Sequence, residues 1–441
     1  MNLFVTRLTV LSGLLSLLLA PRALAGAGGG SSGYGGGGGG GGGFGGGGSS
    51  GTGSGDAGPW WLWVLIGVGV LLFFAYGAYT TVRLRKKRRE RVRRTVAASA
   101  EAAGDDAWFE ASAVESAAAD LVRTTQKAWH DRDRDTLRTL VGGDLMVEWE
   151  RRLDDFDKKG WHNIVEVKSG PQVEYVGMTN REDDEQDRVT VRLEATMRDC
   201  VRQKTGAIVN KEGASSQIVS VAEYWTLERE GDRWIVVSIE QDAEGAHNLD
   251  APLIPSPWSD EQGLRDETVI ERARDDAPAG VTTAELADVD YAGDARKQAL
   301  DLSLVDERFA PQVLEAAART AMSAWAEAVD GHDTRLKAIA GDEAVHELLY
   351  GADAQARTRL VVRGPQLRAL RIAGLDPDAE PATLTVEAEV SGRRYVENRD
   401  TLELVSGSRD SETTFTERWT MQLDGTGPAP WRIAATGRAH A

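Results

Sequence analysis

Glu223-Tyr224-Trp225-Thr226-Leu227 (EYWTL) recurs 194 positions downstream as Glu417-Arg418-Trp419-Thr420-Met421 (ERWTM). Gly170-Pro171-Gln172 returns at the same offset as Gly364-Pro365-Gln366. Thr190-Val191 matches Thr385-Val386, Trp129 matches Trp325, and Gly143-Asp144 matches Gly341-Asp342, all within four residues of that spacing. Trp234 and Trp431 close the two series. Matches that keep their order and spacing over such a distance mark an internal duplication. Each copy is about 140 residues, the size of a whole domain rather than a solenoid repeat.

Both copies read alike. Ala118, Leu121, Val122, Thr125 and Trp129 fall on one helical face, as do Val313, Leu314, Ala317, Ala321 and Trp325. Short helices follow at Thr136–Val141 and Thr334–Ile339, and third helices start near Gly143 and Gly341, the first ending at Gly160. The period then changes to two. Val189, Val191, Leu193, Ala195 and Met197 alternate with polar residues, and Leu384, Val386, Ala388 and Val390 do the same. Helices followed by strands imply an α+β domain, with helices packed on one face of a curved antiparallel sheet.

Upstream, residues 1–25 have an apolar stretch after Arg7 and end in Ala23-Leu24-Ala25, the layout of a secretory signal peptide. Residues 26–58 are nearly all Gly and Ser, a flexible spacer that lacks the GKS or GKT of a phosphate loop. Trp60–Val82 is apolar throughout, with Trp60, Trp61 and Trp63 at one end and Tyr76 and Tyr79 toward the other. At 1.5 Å per residue it would span roughly 34 Å, enough to cross a bilayer. The basic block RLRKKRRERVRR follows directly: Arg83, Arg85, Lys86, Lys87, Arg88, Arg89, Arg91, Arg93 and Arg94. Cations beside an apolar crossing stay in the cytoplasm and gain from an anionic leaflet. The expectation is a single-pass protein of the cell membrane, with the Gly-rich segment outside, the C-terminal domains cytoplasmic and the basic block in contact with anionic lipid. An uncleaved first segment gives the same orientation, because two crossings return the chain to the cytoplasm.

The chain accordingly divides into 1–25 (signal), 26–58 (spacer), 59–82 (transmembrane helix), 83–105 (basic juxtamembrane segment), 106–245 (first domain), 246–300 (linker) and 301–441 (second domain). The net charge of −18 argues against nucleic acid as a partner, and no aromatic interrupts the basic block to stack on bases. A single cysteine, Cys200, excludes disulfides and thiolate metal sites within one chain. It falls on the polar parity of its strand with no matched His and Asn, which argues against a nucleophile.

This layout resembles the bacterial branch of the Tim-44-like domain family, most specifically at Glu223–Leu227 with Trp234. The second copy departs, with Arg418 in place of the aromatic and DGTGPAP inserted before Trp431. The resemblance implies two tandem cone domains similar to nuclear transport factor 2, each with long helices over a bent sheet and an apolar pocket at its open end. It implies binding to membranes, lipids or protein partners, and no settled catalytic activity.

Alternation places Glu223 and Trp225 on the apolar face of one sheet, and Glu417 and Trp419 on that of the other. A carboxylate there must be paired or neutralised. One reading makes it a pocket acid with a raised pKa; the other locks it structurally to an Arg or a backbone N–H. Asp199 shares the apolar parity and is a second candidate at the pocket mouth, with solvation at a strand end as its plainer role. The six histidines show no metal spacing and read as solvent-facing. No catalytic residue, metal or cofactor is expected. Three functions fit: a membrane-tethered module binding a lipid, an apolar ligand or a protein segment; a cone-fold isomerase or dehydratase using a pocket carboxylate; and a scaffold whose two copies pack sheet to sheet as an internal pseudo-dimer.

Overall fold

The computed structural model describes residues 27–28, 60–104, 106–211, 214–259, 289–424 and 429–437, with the side chains of 60–67, 70 and 73 excepted. The signal segment, most of the spacer and the middle of the linker lie outside the described residues.

A 43-residue helix, α1 (Trp60–Ala102), opens the described fold. The first unit follows as α2 (Ala111–Asp131), α3 (Arg134–Leu140), α4 (Gly143–Lys159), β1 (His162–Thr179), β2 (Arg188–Arg202), β3 (Ile208–Asn210), β4 (Ile218–Glu230) and β5 (Arg233–Gln241). The second begins with β6 (Val289–Tyr291) and α5 (Ala295–Ser303). It continues as α6 (Pro311–Asp330), α7 (Thr334–Ile339), α8 (Asp342–Tyr350), β7 (Thr358–Asp376), β8 (Thr383–Asn398), β9 (Leu404–Gly407), β10 (Thr413–Leu423) and β11 (Trp431–Thr436).

The duplication is visible in the topology. One sheet has the order β1-β2-β4-β5 with β3 on β2; the other has β7-β8-β10-β11 with β9 on β8, and the short β6 adds in parallel to β7. All other pairings are antiparallel. In the first unit the helical stripe Ala118, Leu121, Val122 and Trp129 packs onto the inward row Val189, Val191, Leu193 and Met197. The period of 3.6 meets the period of 2 across one core. Trp129 and Trp149 lie edge to face at 5.4 Å there; in the second unit Trp325, the counterpart of Trp129, instead meets Trp419, the counterpart of Trp225, at 5.8 Å. Gly160 ends α4 in the left-handed region, φ +64°, and its N–H closes the last turn.

The alternation fails at one strand end. Cys200 and Asp199 are both buried, although parity assigns Cys200 to the polar face. β3 pairs with β2 from Cys200 to Arg202, and Gln217 covers the thiol.

The basic block is only partly a surface feature. The last turns of α1 lie along β1, with Thr95 and Ser99 buried. Arg91 is buried, and its guanidinium donates to the carbonyls of Val176 and Ala251. Arg88 pairs with Glu174 at 3.0 Å and Lys87 with Asp250. Arg83, Arg85, Lys86, Lys87, Arg89, Arg93 and Arg94 remain exposed. The expectation that all nine cations face lipid is corrected to these seven, because Arg88 and Arg91 turn toward the first unit. Among the described residues no helix is long and apolar enough to cross a membrane; the side chains at 60–67, 70 and 73 of the apolar run lie outside them.

Replacing Arg91 by Ala strands the buried carbonyl of Val176 and the half-buried one of Ala251 and should destabilise the first unit by about 1–3 kcal/mol. Lys86→Ala should stay within about 0.5 kcal/mol. Denaturant unfolding of the full chain in detergent checks this, and equal effects of the two changes would refute the docking role.

Candidate binding cleft between the two units

The two units meet through charge. Glu148 on α4 is 4 % exposed, and its carboxylate accepts from Arg399 at 2.7 and 2.8 Å and from Arg359 on β7 at 3.3 Å. Burial works to raise this carboxyl, but Arg359, Arg399 and Arg152 outweigh it and hold it below the ordinary range. Arg151–Asp400 at 2.8 Å, Arg188–Glu327 at 2.6 Å and Lys337–Asp144 at 3.0 Å extend the contact. The first unit contributes α4, β2 and the region after β5; the second contributes the end of α6, α7, β7 and the turn after β8. Different elements meet, so the units pack head to tail, not sheet to sheet about a two-fold.

A second rung is centred on His247. Its imidazole lies 3.7 Å from Glu240 on β5 and 3.4 Å from Asp330 at the end of α6. Burial opposes its protonation, yet the two carboxylates push its pKa up to about 10. It is therefore an interior cation at neutral pH, not the solvent-facing side chain read from sequence. Glu240, His247 and Asp330 are close enough to share a metal, as are Asp106, Asp184 and Asp187. Each trio already has an arginine: Arg363 is 3.2 Å from Asp330 and 4.0 Å from Glu240, and Arg229 is 2.8, 3.1 and 3.5 Å from the three aspartates.

Between these contacts lies a cleft with a cavity of about 90 Å³, lined by Glu148, Trp149, Arg152, Glu223, Asp330 and Arg363 among others. Its wall mixes these charges with apolar side chains such as Leu145, Val237, Ile239, Val329 and Val361, which departs from the purely apolar pocket that the resemblance implies. Glu223 is 2 % exposed. Its carboxylate accepts from Trp225 Nε1–H at 3.0 Å and from the Gln241 amide at 3.3 Å. These are the locking partners, in place of the expected Arg or backbone N–H. Burial pushes the acid up to about 7, against the pull of Trp225, Lys211 and Gln241.

Glu417 has diverged from its counterpart. It is half-buried at a separate cavity of about 240 Å³ beside Leu348, Leu349 and Leu360. Trp419 is buried, and its Nε1–H has no partner among the described residues. Asp199 does not line the cleft. It sits inside the first unit, accepting from Asn163 at 2.9 Å with Lys211 at 3.9 Å, and Asn163 in turn accepts from Trp129 at 2.8 Å. The solvated strand end expected for it does not form, because β3 and Lys211 close over it.

One occupant of the cleft comes from the spacer. Ala27 and Gly28 are buried against α2 and α4. Ala27 N–H donates to Gln126 Oε1 at 2.6 Å, and Gly28 C=O accepts from Arg152.

Residues 95–241 match the model of the Tim44-like domain family. This stretch, one third of the chain, is similar to a Tim44-like domain. It begins inside α1, at buried Thr95, and ends with β5. Two solved structures show similarity. One is the intermembrane space region of the chloroplast protein ARC6, at 13% identity and TM-score 0.22, covering 28% of this chain and 93% of that one. The other is an Ntf2-like protein involved in plasmid conjugation, at 9% identity and TM-score 0.18, covering 73% of this chain and 94% of that one. At these scores neither likeness carries the fold assignment, which rests on the elements above. No curated protein matches the chain.

In the Tim44-like domain Glu223 gives a pH test. Between the ordinary carboxyl range and about 7 the folded chain holds a proton that the unfolded chain has lost, so wild-type stability falls as pH rises through that window. Glu223→Gln keeps an acceptor for Trp225 and does not titrate. Its melting temperature relative to wild type should rise from pH 5 to pH 8. A difference that stays constant across that range would remove the raised acid.

Proposed function

We propose that this chain is a membrane-anchored binding or scaffold protein in which α1 holds the Tim44-like domain and the second unit, a divergent second cone, at the cytoplasmic face. The recognition surface is the cleft between the units, and its ligand is a protein segment. One observation carries the reading: α1 is a continuous helix from the apolar run to the buried Arg91, so whatever holds the run also holds the domain with no hinge between. The exposed cations Arg83, Arg85, Lys86 and Arg89 lie between the two and suit an anionic leaflet, each worth about 1 kcal/mol near its surface. A cleft of mixed charged and apolar wall, whose Gln126 and Arg152 side chains hydrogen-bond a main chain, suits a peptide better than a lipid tail. Proton-transfer chemistry finds less support, since Trp225 and Gln241, the groups that hydrogen-bond Glu223, do not titrate in the working range.

Reconstitution of the full chain into anionic vesicles tests the anchor. Wild type should resist alkaline extraction, and Leu71→Lys with Leu72→Lys should release it. Protease should cut the two units and the Gly-rich segment from opposite sides of the bilayer. Quantitative extraction of the wild type, or cleavage of both regions from one side, would overturn the reading.

A further inference from the structure

Ala27 and Gly28 are held by main-chain recognition and by a shape that only glycine meets. The acceptor and the donor that engage them come from two helices of the Tim44-like domain: Gln126 on α2, itself buried, accepts, and Arg152 on α4 donates. Gly28 has φ +83°, in the left-handed region that L side chains rarely adopt. Its Cα faces the Trp149 indole so closely that an added Cβ would lie 2.4 Å from Nε1 and 2.6 Å from Cε2. Trp149 is fully buried in the domain core and cannot give way. Two independent constraints, backbone angle and indole contact, thus exclude every residue but glycine at this place, and Ala27 beside it is 7 % exposed.

We propose that the cleft is a site for a glycine-bearing peptide backbone, filled by the chain's own Ala27–Gly28 whenever that segment stands on the same side of a membrane as the two units. The segment reaches the cleft easily, since residues 29–59 can span up to about 100 Å when extended. A single crossing by residues 60–82 carries it to the far side and breaks both hydrogen bonds. Insertion therefore empties the cleft and offers it to a segment of the same chemistry, a small residue followed by glycine, on a partner. This second step rests on the anchored reading above; the glycine site itself does not.

The probe is a fluorescent peptide with the sequence of residues 26–31, GAGGGS, and a control peptide with valine at the Gly28 position. Binding is followed by anisotropy. In the detergent-solubilised full chain the tethered segment competes at an effective concentration near millimolar, so wild type should bind the probe at least about tenfold more weakly than Gly28→Val. The valine peptide should not bind Gly28→Val, and adding Arg152→Met should abolish probe binding without lowering the melting temperature by more than a few degrees. Equal probe binding by wild type and Gly28→Val, or equal binding of the two peptides, would overturn the site. In vesicles, wild type should bind as Gly28→Val does. Should it stay weak there while Gly28→Val binds, the glycine site stands and release on insertion falls.

Discussion

A single carboxylate, Glu148, fixes how the two halves of this molecule meet. It is buried within bonding distance of Arg359 and Arg399 from the second unit, and Arg152, one turn along α4, adds to the positive field around it. Taking three such charges out of water costs several kcal/mol each, and their mutual attraction returns that only in a close and well-bonded geometry. The cluster therefore contributes less to net stability than to register: few other dockings satisfy all of its charges. Trp149 and Arg152 stand on the same helix, so the register that satisfies Glu148 also shapes the cleft.

The duplicated units have taken different roles within one topology. In the first, Glu223 is sealed at the cleft, accepting from Trp225 and Gln241. In the second, Glu417 opens onto a separate cavity and leaves the Trp419 N–H unpartnered among the described residues. Docking is asymmetric for the same reason. Helix α4 of the first unit meets β7 of the second through Glu148 and Arg359. The first unit thus binds α1 on one side and the second unit on another.

The two-period pattern was legible in the sequence, because Val189 to Met197 alternate and the helical stripe through Trp129 repeats, and both are properties of neighbouring residues. The inward position of Glu223 followed from the same parity. What parity could not reach was any contact made across distance. Glu148 and Arg399 are 251 positions apart, and His247 looks like a loop histidine until Asp330 arrives from the other unit. Asp199 and Cys200 were misplaced because a three-residue strand, too short to announce itself, covers that end of β2. The basic block shows the limit of composition: Arg91 and Arg89 are alike in sequence, but only the helical phase that turns Arg91 toward β1 buries it.

If buried charge locks the two units into one body, they must unfold together. Scanning calorimetry of the full chain in detergent tests this directly. Wild type should melt in one cooperative transition, and Glu148→Ala, which strands Arg359 and Arg399, should split it into two. Two transitions in the wild type, or an unchanged single transition in Glu148→Ala, would contradict the account.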